Sequence, residues 1–500
     1  MKVAQADSDG GARARGLAEQ VKGAVIWRSG SQIAGQLIAW TSTFLVIRLL
    51  DPSDYGLLAM TGVVLAFLNL LNGWGFASAL VREESTDRRR IRQAFGMLLL
   101  VNGALAAVQF LAAPLAADYF SHPMVERLLR VQALFYFANP FLALGNALLI
   151  RRMNFKRQSQ INLAAAVLSA CAAVASALAG AGVWTLVIAA GVLWFSQALG
   201  LLVAARLFML PLFSFRGAGD LARFGGAMML VQFFWFVQSQ TDVFIGGHEL
   251  DAHRLGLYTT ALFLTQILSG KFVPAINDVA FAAYARLQGD AAALEAAFLK
   301  TVRLVTLLAL PFYFGLAATA EPLVATFLGA KWLGSAPLVP VLACAMAMAT
   351  LQILFAPATN AIGKPRVAVR TGMFGAVAMT CAFATGIRWD APGLAWGWVA
   401  GAASLLAFTA LASLRAIGVK RRSFAAAVAP ALLCSAAMAS LVAGLGSLLA
   451  PLGDAQRLAL LVPAGMASYV AFLFLFARPL FDEVLALARP QAGRAAAQAL

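Results

Sequence analysis

"DPSDYGLLAM" (51–60) lies between two long apolar runs, and two hundred residues later "DAHRLGLYTT" (251–260) lies between two more. Asp51 falls on Asp251, Gly56 on Gly256 and Leu57 on Leu257 at that offset. Extended outward without gaps, the offset also pairs Gln32 with Gln232, Thr41 with Thr241, Phe44 with Phe244 and Leu68 with Leu268. Each copy reads as a short corner between two apolar helices. The plain alternative is that Gly, Pro and Asp corners recur in any chain that crosses a membrane many times.

The surroundings favour a repeat. The 500 residues are 61% hydrophobic and 12% charged, with a mean hydropathy of +0.81, whereas soluble domains are about 45–50% apolar and about 25% charged. Stretches of about 20 apolar residues, the length that spans a bilayer as a helix, recur along the whole chain. Fourteen fit, from 25–47 to 458–477, and no soluble domain is visible. The first corner joins spans one and two, the second joins spans seven and eight. Six spans apart is an even number, so both copies enter the membrane in the same direction, the pattern of a parallel repeat about an axis along the membrane normal. "NALLIRRMNFKR" (146–157) closes span four as "NAIGKPRVAVR" (360–370) closes span ten, and "GVWTL" (182–186) opens span six as "GLAWG" (393–397) opens span twelve. The expected architecture is all-α and polytopic: a segment 1–24, a six-helix lobe over 25–223, a second over 224–422, two further helices within 423–477 and a tail at 478–500.

The net charge of +16 is a topology signal rather than a mark of nucleic-acid binding. The N-terminus, every second loop and the C-terminus hold most of the 38 Lys and Arg, and basic loops stay cytoplasmic. Both termini are therefore expected inside. The polar start is too long for a cleavable signal and the first span reads as a signal anchor. The four cysteines sit singly in apolar spans, a pattern of neither disulfides nor zinc. "HELDAH" (248–253) spaces its histidines five apart, and the zinc motif that it resembles needs four so that both imidazoles share a helical face.

Polar residues within the spans are costly in lipid and point to function. Helical spacing puts Arg28, Gln32, Gly35 and Thr43 on one stripe of span one, and Gln232, Trp235, Ser239 and Asp242 on one stripe of span seven (224–246). Asn69 and Asn72 share a face of span two, and Thr260, Lys271 and Asp278 fall on one line of span eight (255–278). Such faces must meet protein or a wet cavity. A cavity lined by these four spans would use Arg28, Gln32, Asn69, Asn72, Gln232, Trp235, Ser239 and Lys271 as substrate contacts. Plainer readings stand beside this one: Arg28 and Lys271 snorkelling to an interface, Asp242 bracing the loop after its span, and the two asparagines bonding a neighbouring helix.

The stretch "AVIWRSGSQIAGQLIAWTSTFLVIRLLDPSDYGLLAM" resembles the opening of the Wzx-type oligosaccharide flippases, relatives of the MATE antiporters and of the lipid II flippase. The likeness continues through "NALLIRRMNFKRQSQINL", "QTDVFIGGHELDAHRLGLYTTA", "AYARLQGD" and "NAIGKPR", and so covers roughly residues 20–480. The resemblance implies two lobes that open alternately to each side of the bacterial inner membrane. It implies a cargo of undecaprenyl-diphosphate-linked oligosaccharide repeat units, coupling in some members to a proton or sodium gradient, and no other cofactor. A polysaccharide polymerase and a chain-length regulator are the implied partners, besides membrane lipid. Asp242 stands at an acidic position common in the family and is the candidate for the coupling ion. A MATE-like antiporter of cationic drugs or metabolites is the alternative. No enzyme is expected, because the short outer loops offer no paired carboxylates beside a sugar site.

Overall fold

The computed structural model describes residues 30–71, 88–152, 154–213, 219–478 and 481, and every regular element among them is a helix. Each of the fourteen expected spans has a helix at its position. In the first half these are α1 (30–49), α2 (Pro52–Leu71), α3 (Arg88–Tyr119), α4 (Pro123–Gln132) with α5 (Asn139–Arg151), α6 (Phe155–Leu178) and α7 (Trp184–Ala205). In the second they are α8 (Gly219–Glu249), α9 (Ala252–Lys271) with α10 (Val273–Arg286), α11 (Ala291–Ala318), α12 (Ala320–Phe327), α13 (Leu338–Ile353) with α14 (Phe355–Ala361), α15 (Pro365–Gly386) and α16 (Asp390–Ile417). Two more, α17 (Arg421–Leu448) and α18 (Asp454–Phe476), complete the set. Among the described residues, ten helical stretches are long and apolar enough to cross a membrane, and the longest, 365–417, holds both α15 and α16. Leu111, Leu199, Leu433 and Leu475 are each more than 60% exposed, as expected of helices whose outer faces meet lipid tails rather than water.

The chain forms two compact units, residues 1–230 and 231–500. In the first, Val46 and Leu50 of the α1 end pack with Ala173 of α6 against Tyr55 and Leu186. Leu68, Leu105, Ala106, Ala133 and Tyr136 form a second cluster between α2, α3 and the helical turn after α4. In the second unit, Phe298, Phe355 and Phe424 meet with ring centroids 5.4–6.5 Å apart, tying α11 and α14 to α17. The last two helices are part of this packing: the Tyr469 hydroxyl donates to the Leu307 carbonyl at 2.9 Å.

Both corners are tight and capped. In the first, an Asp54 carboxylate oxygen accepts the Asp51 N–H at 3.1 Å, as the third residue of a capping box does. In the second, the Asp251 carboxylate accepts the Arg254 N–H at 2.8 Å as an N-cap. Gly56 and Gly256 are both buried. Each corner also abuts the start of its unit's sixth span. A Cβ on Gly182 would lie 3.3 Å from Asp54 Oδ1, and the Arg254 guanidinium pairs with Asp390. "GVWTL" and "GLAWG" thus each lie at a helix start that meets a corner.

Span eight departs from the sequence expectation. It is not one helix: α9 ends at Lys271, Phe272 caps it, and α10 restarts at Val273 with Pro274 in its first turn. Proline lacks an N–H and its ring clashes with the carbonyl four residues back, here Gly270, so the helix breaks. Lys271 and Asp278 therefore stand on different helices, not on one line, and Lys271 is a helix end rather than a residue some seven positions inside its span.

Candidate functional site

The best-defined polar centre lies inside the second unit. Asp242 sits on α8, Tyr258 on α9 and Trp398 on α16, and they are 0%, 0% and 6% exposed. The Tyr258 hydroxyl donates to Asp242 Oδ2 at 2.7 Å, while the Trp398 indole N–H lies 3.0 Å from that same oxygen and 2.8 Å from the hydroxyl. Asp242 Oδ1 is buried and has no side-chain hydrogen-bond partner among the described residues. A buried carboxyl group with side-chain donors on one oxygen only is costly to leave so.

Local sequence explains why these side chains meet. The run "GLAWGWVAG" puts glycines at 393, 397 and 401, four apart and so on one face of α16. A Cβ at Gly393 would lie 1.8 Å from the Gly386 carbonyl oxygen, and one at Gly397 would lie 3.0 Å from Phe383. This small-residue face lets α15 come close and fixes the rotation of α16. The Trp398 ring is wedged edge-on against Phe383, with centroids 5.4 Å apart, and its N–H is aimed at Asp242. The sequence places Asp242 about a turn from the end of its span. In the structure α8 runs on to Glu249, so the residue lies about two turns from the corner and bonds to neighbouring helices rather than to a loop.

A second polar feature belongs to the first unit. Between α1 and α6 lies a pocket of about 320 Å³ lined by Ser31, Gln32, Gly35 and Gln36 on one side and Gln158, Ser159, Asn162 and Leu163 on the other. Deeper in that unit, Thr61, Asn102, Gln109 and Gln132 are all at most 2% exposed. Gln132 donates to Thr61 at 3.3 Å, Gln109 to the Leu129 carbonyl at 2.7 Å and Asn139 to Asn102 at 3.2 Å. These bonds join α2, α3, α4 and α5, and read as helix-to-helix glue.

Of the residues singled out from sequence, Gln32 lines the pocket and Asp242 is the centre of the buried network. Asn69 is exposed on α2. Gln232 and Trp235 are exposed on α8, Trp235 at 63%. The Ser239 hydroxyl is spent on the Phe236 carbonyl of its own helix at 3.3 Å. Lys271 is placed by its backbone alone, and Arg28 and Asn72 lie outside the described residues, as do segment 1–24 and nearly all of the tail. Sequence reading missed Tyr258 and Trp398, since aromatic residues on apolar helices look like core. It also did not single out Gln158 and Asn162, which line the pocket, although the stretch that contains them, "NALLIRRMNFKRQSQINL", carries the resemblance to a family.

The fold is that of a multi-pass membrane transporter. It superposes on the inward closed conformation of the lipid II flippase MurJ with a TM-score of 0.73 over 91% of this chain and 99% of that one, at 12% identity. It also superposes on an inward-facing multidrug resistance MATE transporter of the MOP superfamily with a TM-score of 0.59, over 79% and 98%, at 17% identity. Residues 45–337 match the model of the polysaccharide biosynthesis protein family, and the chain belongs to that family. Among its relatives, the succinoglycan biosynthesis transport protein ExoT of Rhizobium meliloti (strain 1021) is 27% identical over 342 residues, which cover 68% of this chain and 69% of that protein.

Proposed function

We propose that the protein flips undecaprenyl-diphosphate-linked oligosaccharide repeat units, precursors of an O-antigen, exopolysaccharide or capsule, from the cytoplasmic to the periplasmic leaflet of the bacterial inner membrane by alternating access. The observation that carries this reading is the match of residues 45–337 to the polysaccharide biosynthesis family, joined by the likeness to a relative named as a succinoglycan transport protein. Such a cargo has an anionic headgroup, a bulky polar glycan and a long lipid tail. A carrier for it must shelter hydroxyls from hydrocarbon while leaving the tail in lipid, and a helical scaffold with polar groups on its inner faces can do that. Both termini stay cytoplasmic in this reading, and the emerging repeat unit passes to a polymerase and its chain-length regulator.

The coupling ion in this reading is a proton carried by Asp242. Supporting it is the geometry: both side-chain groups at Oδ2, the Tyr258 O–H and the Trp398 N–H, act as donors to it, an arrangement that suits a carboxyl that gains and loses a proton. A sodium ion asks for several oxygen ligands, while a proton needs one.

Deletion of the gene tests the function. The expected result is a build-up of lipid-linked repeat units in the inner leaflet with loss of the surface polymer. Normal polymer with altered drug resistance would favour a MATE-like antiporter instead, and flipped but unpolymerised repeat units would favour an enzyme of polymer assembly.

A further inference from the structure

The pocket between α1 and α6 has a composition that selects one part of such a cargo. Two amide pairs face each other across it: Gln32 and Gln36 on α1, Gln158 and Asn162 on α6. Each pair is spaced i, i+4 and so shares a helical face. Gly35 and Leu163 form the floor, where a Cβ on the glycine would sit 4.0 Å from the leucine side chain. Gln158 is held in place by donating to Asn146 Oδ1 at 2.8 Å. Gln32, Gln36 and Asn162 make no side-chain hydrogen bond to any other described residue. Gln32 and Asn162 are exposed, so their amides are open to water or to a ligand.

Among the described residues, no charged side chain lines the pocket. Lys156 and Arg157 directly precede Gln158 in sequence and stand outside the lining. An anion would be poorly served by neutral amides alone, because a charged group wants charge-assisted partners. Each amide offers both a donor and an acceptor, which is also what each hydroxyl of a sugar offers. At about 320 Å³ the space is at the lower end of small-molecule pockets, about 300–1,000 Å³, which fits one uncharged sugar residue rather than a whole glycan.

We infer that the α1–α6 pocket is a subsite for an uncharged sugar of the lipid-linked oligosaccharide, recognised through its hydroxyls by Gln32, Gln36, Gln158 and Asn162. The inference rests on the flippase reading and adds to it where the glycan is gripped: within the first unit, close to the basic segment that begins α6. In this reading the pocket distinguishes the glycosylated lipid from the bare one.

The test compares two probes on purified full-length protein in detergent: the lipid-linked repeat unit extracted from a strain lacking this gene, and bare undecaprenyl diphosphate. Wild type is expected to bind the glycosylated lipid more tightly. Gln36→Leu and Asn162→Leu should each weaken that binding about fivefold, the equivalent of one neutral hydrogen bond, and together they should bring it to the level of the bare lipid. Binding of bare undecaprenyl diphosphate should not change. Gln36→Met, which keeps the length of the side chain and loses both hydrogen-bonding groups, should behave as Gln36→Leu and separates recognition from packing. Wild-type preference for the glycosylated lipid with unchanged variants would overturn the subsite alone. An equal loss for both probes would assign the pocket to the lipid or its diphosphate and overturn it too. A wild type that binds neither probe would sink the flippase reading and the subsite with it.

Discussion

Tyr258→Phe removes a single oxygen atom from the buried network of the second unit, and the geometry sets the size of the loss. That hydroxyl donates to Asp242 Oδ2 at 2.7 Å and receives the Trp398 N–H at 2.8 Å. After the change the Trp398 N–H, at 3.0 Å, is the one side-chain donor left to Asp242 among the described residues. A hydrogen bond to a charged group contributes about 1.5–3 kcal/mol and a neutral one about 1 kcal/mol, so the variant should lose about 2 kcal/mol. Asp242→Leu should cost a similar amount, since it strands the same donors. The double variant removes acceptor and donor together, and its cost should fall short of the sum of the singles by about 1–2 kcal/mol. Unfolding in mixed micelles by SDS titration, monitored by circular dichroism, measures all four states of the cycle. Additivity within about 0.5 kcal/mol would refute the network as an energetic unit.

Other predictions probe the packing and the transport step. Gly393→Ala would drive a Cβ to within 1.8 Å of a backbone carbonyl oxygen and should lower the level of folded protein in membranes, an overpacking cost of about 1–3 kcal/mol or more. Gly444→Ala meets nothing within 4 Å and should leave that level unchanged or raised, because alanine favours a helix by about 1 kcal/mol. Arg254→Ala breaks ion pairs whose side chains are 38–60% exposed, so stability should fall by at most about 1 kcal/mol, and less at high salt. Asp242→Asn keeps the shape and removes the titratable group. It should abolish the effect of an imposed proton gradient on flipping in proteoliposomes, while an undiminished gradient response would remove Asp242 from the coupling step.

Much of the fold was legible in the sequence, and the remainder was hidden for physical reasons. Hydrophobic runs located every span because the bilayer imposes a length on each helix. The matched corners were visible because capping depends on short-range chemistry at Asp51, Asp54 and Asp251. Asp242 stood out as an acid among apolar residues. Its partners did not, because Tyr258 and Trp398 come from helices 16 and 156 residues away in sequence and no local pattern reveals convergence in space. The same holds for the α1–α6 pocket, whose two walls lie more than a hundred residues apart in sequence. The break after Lys271 was readable in principle: Pro274 lies within the apolar run, and hydropathy weighed more than the missing N–H.

A flippase carries its glycan-bearing lipid across the bilayer. Reconstitution into liposomes loaded with the extracted lipid-linked repeat unit tests it most directly, with a glycan-specific lectin added outside to report access. Labelling should exceed the outer-leaflet fraction and rise toward the whole pool when wild-type protein is present, and it should slow for the Gln36→Leu/Asn162→Leu variant. Labelling that stays at the outer-leaflet fraction with folded wild-type protein and an imposed proton gradient would contradict the flippase reading.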